Sequence, residues 1–308
     1  LNLQILNDFP KFFYLIVTVY RHMIDVLLRV LIYGAVVSGI WALAASGFSL
    51  IFGVARILNF SHGVFFVLGA YISIVLIKNL GVNLFVSYVL AVLLVGLIGI
   101  VAYKLMMSPI REHEVMVIIV TLAFALLVEQ ILLIIFGEHG ISVPSFVRGV
   151  VEIAGVPVTM KRVMAFLSAI VVIILLEYFI NRTRTGKMIS AASQDPEAAM
   201  IVGMNVERLF VITMFISASL AAFGGLLYGQ VFAANPIFAV KSLIFAFAIV
   251  ILGGLGSVRG SIVASFIVGY ILTATITTFG ARWGEFAVLI TIIAILIFRP
   301  TGLFGVEE

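Results

Sequence analysis

From Val30 to Phe298 this chain is a succession of long apolar runs, and one internal stretch alone breaks them with sustained polarity. The runs fall near 31–54, 64–77, 84–106, 115–136, 163–180, 206–232, 243–255, 261–279 and 284–298. About 20 apolar residues suffice for a helix to cross a bilayer, so most of these runs read as membrane spans. The 243–255 run is short for a span and is a candidate re-entrant segment. The polar break comprises Arg182-Thr-Arg-Thr-Gly-Lys187, then Ala191-Ala-Ser-Gln-Asp-Pro-Glu-Ala-Ala199 and Gly203. Its positive charge places it on the cytoplasmic side by the positive-inside rule.

Composition excludes a soluble fold. The 308 residues are 64% hydrophobic and 10% charged, whereas a soluble domain averages about 25% charged. Too few charges are present to cover a globule of this size, so lipid must be the solvent. The net charge of +4 comes from Lys and Arg scattered between runs, which orients spans rather than binding nucleic acid. Cysteine is absent, so disulfides and thiolate metal sites are excluded. The histidines are His22, His62, His113 and His139, none at metalloprotease spacing, and no metal site is expected. There is no serine nucleophile elbow and no phosphate-binding Gly-rich loop, because Arg182-Thr-Arg-Thr-Gly-Lys187 lacks the leading glycine. The chain is not expected to be an enzyme or to hydrolyse ATP unaided. No typical signal peptide is visible, and internal spans are expected to direct insertion.

Three regions follow. Residues 1–29 form an N-terminal amphipathic or first membrane segment: the apolar run Phe12 to Tyr20 is followed by Arg21, His22, Asp25 and Arg29 at helical spacing. Residues 30–305 form the transmembrane domain, with a cytoplasmic loop at 181–205, and 306–308 are a C-terminal tail. Alternation from a cytoplasmic 181–205 puts Arg56, Lys104, Arg111, Arg259 and Arg299 on the same side, with the C-terminus cytoplasmic and the N-terminus outside, or inside if 10–29 spans; Arg148, Lys161 and Arg162 fall outside, against the rule. The loop 137–162 reads as an extracytoplasmic hairpin or lid. An internal echo joins Ile51-Phe-Gly53, His62-Gly63, Gly69 and Tyr71 to Ile251-Leu-Gly253, Arg259-Gly260, Gly269 and Tyr270; repeats are common in transporters, and chance similarity of glycine-rich helices gives the same pattern.

Several polar groups interrupt the apolar pattern. Asn59, Ser61 and His62 sit between two runs, where Asn, Ser and Gly disfavour helix continuation. A break there is either an element of a translocation path or an ordinary cytoplasmic turn with a cap. Glu129 and Gln130 lie inside the fourth run, where an ionisable group faces the bundle interior or reaches water at an interface. Glu177 and Lys241 lie near run ends, within snorkelling reach of water. Gly253, Gly254, Gly256 and Gly260 read as packing or hinge glycines. In the polar loop, Asp195 is a helix N-cap, Pro196 opens the helix, Glu197 suits its first turn, and Ala198, Ala199 and Met200 continue it. Gly203 stops it, and Asn205 caps the next span. A short helix with defined stops and a small-residue face reads as a docking element, with a solvated connector as the plain alternative.

Taken in order, four motifs give a resemblance. Asn59-Phe-Ser-His-Gly63, Glu197-Ala-Ala with Gly203, Leu252-Gly-Gly-Leu-Gly-Ser257 with Gly260, and Arg299-Pro-Thr-Gly-Leu-Phe-Gly305 resemble the branched-chain amino acid permeases of ATP-binding-cassette importers, over residues 31–305. The longer apolar N-terminus, the Asp195-Pro196 pair and the charge at Glu129 depart from that pattern. The resemblance implies an all-α, polytopic type II-like permease of roughly eight to ten spans with a cytoplasmic coupling helix. It implies two cytoplasmic ATPase subunits, a second similar or identical permease, an extracytoplasmic solute-binding protein and surrounding lipid as partners. ATP and magnesium would be held by the partner subunits, with no cofactor on this chain and no nucleic acid. Coupling would then fall to Asp195, Glu197, Ala198, Ala199 and Gly203, and the path to Asn59, Ser61, His62, Glu129 and Gln130. The expected cargo is a branched-chain or other hydrophobic amino acid, and the expected location the inner or plasma membrane of a prokaryote. A permease for urea or short amides, and a proton- or sodium-coupled secondary transporter using Glu129, are the alternatives; a passive channel lacks a filter signature.

Overall fold

The computed structural model describes residues 3–299 and 301–304, with the backbone alone for 3–19 and 22. Pro300, Gly305 and the tail 306–308 lie outside the described residues. The chain is an all-α bundle carrying one small hairpin. Its apolar helices are α1 (Leu3–Ala55), α2 (His62–Lys78), α3 (Leu84–Ala102), α4 (Glu114–Phe136), α5 (Met160–Arg182), α8 (Val206–Phe232), α9 (Phe238–Gly253), α10 (Val258–Phe279) and α11 (Ala281–Phe298). Two polar helices, α6 (Arg184–Gln194) and α7 (Pro196–Ile201), lie between α5 and α8. Among the described residues, 7 helices are long and apolar enough to cross a membrane, while α2 and α9 are shorter. The chain is therefore a multi-pass membrane protein, and every apolar run of the sequence has become a helix.

α1 has 53 residues, about 80 Å at 1.5 Å per residue, far beyond a hydrocarbon core of about 30 Å. Residues 10–29 continue the same helix as 31–54 without a break, and Arg29 Nε donates to Asp25 Oδ2 one turn earlier at 3.0 Å. α3 runs on through a π-helical stretch, Tyr103–Met107, and a 3-10 turn, Ser108–Ile110, before α4.

The ends of the helices sort as alternation requires. Arg56, Lys104, Arg111, Arg259 and Arg299 share one end with α6 and α7: Arg111 pairs with Glu207 at 3.0 Å, Arg259 with Glu177, and Leu303 N donates to Leu252 O at 2.8 Å. At the opposite end Ile141 and Ala234 exchange backbone hydrogen bonds of 2.8 Å. The 137–162 loop there contains an antiparallel hairpin, β1 (Val150–Ile153) with β2 (Val156–Thr159). It turns through Ala154 and Gly155 at φ 50° and 82°, the left-handed pair that a two-residue hairpin needs.

The core lies where α1, α2, α8 and α9 converge. Trp41 stacks on Phe66 at 5.7 Å and on Phe245 at 4.9 Å. α8 reaches α2 closely because glycine leaves no side chain between the backbones: a Cβ on Gly225 would lie 1.7 Å from Phe66 O, and one on Gly69 2.1 Å from Ala222 O. Small residues play this part in lipid, where no hydrophobic effect pulls apolar helices together. The late glycines act similarly. A Cβ on Gly260 would lie 2.0 Å from Gly253 O, and Gly254 and Gly256 take φ of 100° and 82° in the α9–α10 turn. That turn is tight and capped by Ser257, which accepts from Gly260 N at 3.0 Å. Its echo after α1 is longer, and Ser61 makes no side-chain cap.

Glu177 and Lys241 do more than snorkel. Glu177 accepts from Arg259 Nε at 2.6 Å, joining α5 to α10, and Lys241 donates to Glu285 at 2.8 Å, joining α9 to α11.

Backbone atoms cannot swing aside, so Gly225→Ala should overpack the α2–α8 crossing by at least about 1–3 kcal/mol. Heating the detergent-purified protein before size exclusion should show a lower melting midpoint for this variant. Gly140→Ala, whose nearest neighbour stands at 3.5 Å, should leave the midpoint unchanged.

Candidate functional site

Two sites emerge, one inside the bundle and one at its polar end. The inner one begins where α1 stops. Arg56 takes φ 49° and the chain turns back alongside α1 through Ile57–Ser61. His62, the first residue of α2, places Nε2 2.8 Å from Ala44 O. A carbonyl only accepts, so Nε2 carries the proton and Nδ1, which has no partner among the described residues, is left as an acceptor. Ala44 lies about 16 Å along α1 from Ala55 at the helical rise. α2 therefore starts deep in the bundle. α9 starts beside it: Ser242 Oγ donates to Gly63 O at 3.1 Å, and a Cβ on Gly63 would lie 2.1 Å from Ala239 O.

Asn59, Ser61 and His62 are all buried, which sets aside the plain cytoplasmic turn. Asn59 Oδ1 accepts from Ser61 N at 3.0 Å and from Ser61 Oγ, and its amide nitrogen donates to Met214 Sδ at 3.7 Å. Phe60 N donates to Thr121 Oγ1 of α4 at 3.1 Å. Ser217 O and the His62 ring both press on Gly47, at 2.8 and 3.3 Å from where its Cβ would be. Among the described residues, the hydroxyls of Ser49, Thr213 and Ser217 are buried without partners. The structure thus brings Asn59, Ser61 and His62 together with polar groups of α1, α4 and α8.

Glu129 lies on the buried stripe of α4 with Val117, Thr121, Ala125 and Leu132, about 12 Å beyond Thr121 along the axis. Its side chain packs inward, and among the described residues its Oε2 has no partner. Gln130 is exposed, because adjacent helical residues point about 100° apart. Glu129 and Gln130 do not share a surface, and neither joins the Asn59–His62 turn.

At the polar end, each expected cap is present. Thr183 Oγ1 accepts from Gly186 N at 3.0 Å to open α6. Asp195 Oδ1 accepts from Ala198 N at 2.9 Å to open α7, with Pro196 first. Gly203 takes φ 83° and donates to Met200 O at 3.0 Å, while Met204 N donates to Ala199 O at 3.0 Å; this pair of bonds is the Schellman stop. Asn205 Oδ1 then accepts from Arg208 N at 2.9 Å to open α8. Ala199 packs inward with Ile189 and Ala192, whereas Asp195, Glu197 and Ala198 are exposed.

Two features here escaped the sequence reading. Met200, Ile201 and Val202 form an exposed apolar tip, 53%, 86% and 70% accessible. Beside it, Glu207 collects three donors: Tyr103 Oη at 3.1 Å, Ser108 Oγ at 3.2 Å and Arg111 Nη1 at 3.0 Å. Arg111 also lies 5.6 Å over the Phe210 ring. The cluster fastens the first turn of α8 to the end of α3. An acid in a first helical turn is the one sequence signal that pointed to Glu207.

A family model described as "Branched-chain amino acid transport system / permease component" matches residues 30–297. The chain is 24% identical to the high-affinity branched-chain amino acid transport system permease protein BraD of Pseudomonas aeruginosa, over 91% of this chain and 96% of that protein. It is 23% identical to LivH of Escherichia coli, a protein of the same description, over 89% and 94% of the two chains. It is 25% identical to a probable branched-chain amino acid transport permease of Methanocaldococcus jannaschii, over 91% and 93%.

Removing the Asp195 cap should cost α7 about 1 kcal/mol. Hydrogen exchange of the Ala198–Met200 amides, followed by mass spectrometry, should be about fivefold faster in Asp195→Ala and near wild type in Asp195→Asn, which keeps an acceptor oxygen.

Proposed function

The chain belongs to the branched-chain amino acid transport permease family, and from that premise we propose how it is driven, which way it faces and what it carries. It is a permease component of an ATP-binding-cassette transport system and not an enzyme. Its drive comes from two cytoplasmic ATPase subunits, which hold the ATP and magnesium. A second permease, similar or identical, completes the membrane unit, and an extracytoplasmic binding protein delivers the cargo. The cargo is a branched-chain or other hydrophobic amino acid, the class that the names of its relatives carry. The end bearing α6, α7 and the C-terminus faces the cytoplasm of a prokaryotic cell, a placement supported by the cluster Arg182, Arg184 and Lys187 on the polar loop.

The observation that carries the drive is α7 itself. A six-residue helix stopped at both ends, with an apolar tip held out of the bundle, has the form of a peg for a groove in a partner. Contiguous exposed apolar surface of this kind marks an interaction site. Asp195, Glu197 and Ala198 flank the tip, Ala199 anchors it inward, and Gly203 fixes its angle. Movement of the peg is passed on by stiff joints. Asn205 caps α8 directly after α7, and the Glu207 cluster fastens that turn to α3. α8 then leads to the buried junction where α2 and α9 begin. A shift of α8 there displaces the polar groups around Asn59, Ser61 and His62, which is the step that would open and close the path.

Family membership does not favour the secondary-transporter reading with Glu129 as coupling acid. In proteoliposomes with the ATPases and binding protein, Glu197→Arg and Ile201→Asp should each lower ATP-driven uptake at least tenfold at unchanged permease level. Wild-type uptake in both variants would refute the peg. Uptake that vanishes on collapse of the proton gradient, with ATP supplied, would refute the ATP drive.

A further inference from the structure

At the end opposite α7, a cavity of about 350 Å³ lies between α1, α8, α9, α10 and α11. Its volume is in the range of small-molecule sites. Its floor is aromatic: Trp41 stacks with Phe245 at 4.9 Å, and Tyr228 with Phe238 at 4.5 Å. Two opposite charges line the same cavity. Arg162, from the first turn of α5, lies 4.4 Å over the Tyr33 ring. Among the described residues no carboxylate is within ion-pair distance of it. Glu285, from the second turn of α11, accepts from Lys241 through Oε1 and, among the described residues, through no other atom. A third polar group, Thr273 Oγ1, is buried in the lining without a hydrogen-bond partner among the described residues.

We propose that this cavity, built within a single permease, binds a zwitterionic α-amino acid with a large apolar side chain. This rests on the amino-acid cargo advanced above and gives it a place. The α-carboxylate meets the unpaired Arg162, which offers planar, paired donors to a carboxylate. The α-ammonium meets Glu285, and the side chain lies against the rings of Trp41 and Tyr228. Thr273 supplies a hydrogen bond that the apolar walls cannot. An acyl chain alone would need neither charge. A phospholipid with an ammonium headgroup would use both, and it is the competing occupant.

The test uses the assembled transporter in nanodiscs of phosphatidylglycerol, with a diazirine analogue of leucine as photoprobe and adducts mapped by mass spectrometry. Adducts are expected on peptides bearing Trp41, Tyr228 or Thr273. Leucine should compete for them, and leucinamide and 4-methylpentanoate, each lacking one charge, should compete about tenfold more weakly. Arg162→Gln should weaken competition by leucine about tenfold and leave that by leucinamide unchanged. Glu285→Gln should do the same for leucine and spare 4-methylpentanoate. The differing responses to the two analogues separate a lost contact from a misfolded variant. Adducts elsewhere or none, while ATP-driven uptake continues, would overturn the site and leave the permease reading intact. So would adducts displaced by phosphatidylethanolamine and not by leucine. Adducts with the expected competition in a complex that shows no ATP-driven uptake would uphold the site and count against the drive.

Discussion

Inside a bilayer no water is at hand for an unpaired amide or carbonyl, so non-helical backbone at membrane depth must find its partners within the protein. At the end of the segment from Arg56 to Ser61, side chains of other helices and of the turn itself supply such partners, and the bundle is arranged around them. Phe60 N is satisfied by Thr121 of α4, Ser61 N by Asn59, and His62 Nε2 by the Ala44 carbonyl of α1. Ser242 of α9 supplies Gly63 O. These bonds bind α1, α2, α4 and α9 at a single depth, and the Asn59–Met214 contact adds α8. Moving any of these helices breaks a bond that lipid cannot replace. The junction is consequently a place where a few positions of the helices are allowed and intermediate ones are costly.

The polar end obeys a different rule. There water can satisfy a loose end, so structure has to be specified by caps. Thr183, Asp195, Gly203 and Asn205 each satisfy or terminate one helix end, and together they turn α6 and α7 into short rigid pieces. Rigidity permits a small displacement at α7 to arrive at α8 undiminished. The Glu207 cluster extends the connection to α3 through three donors on one carboxylate. Its partners are partly open to water, so its worth lies in geometry more than in net stability.

Much of the architecture was legible in the residue order. Each apolar run became a helix, and the short run at 243–255 became α9, one of the two short helices. The caps at Asp195 and Asn205 and the stop at Gly203 were all read correctly, since capping chemistry acts between residues a few positions apart. What the residue order left out shares a cause. Glu177 and Lys241 sit where they reach water, and their ion-pair partners Arg259 and Glu285 lie 82 and 44 residues away in the chain. Gln130 was grouped with Glu129 by proximity in the chain, yet only the packing of α4 decides which of two neighbours faces inward. Met200 reads only as a continuation of the helix, and the position of α7 outside the bundle reveals it, with Ile201 and Val202, as an exposed surface.

What the order of residues determined alone is the solvent, the number of apolar helices, which of their ends lie together and the stops of the polar loop. Those properties depend on hydropathy, charge and contacts within one helical turn. The tertiary structure decided how deep α2 and α9 begin, which polar groups meet there, and that Arg162, Glu285 and Thr273 line one cavity. Such facts join residues from opposite parts of the chain through packing, and packing in lipid is settled by where small residues such as Gly69 and Gly225 let backbones touch.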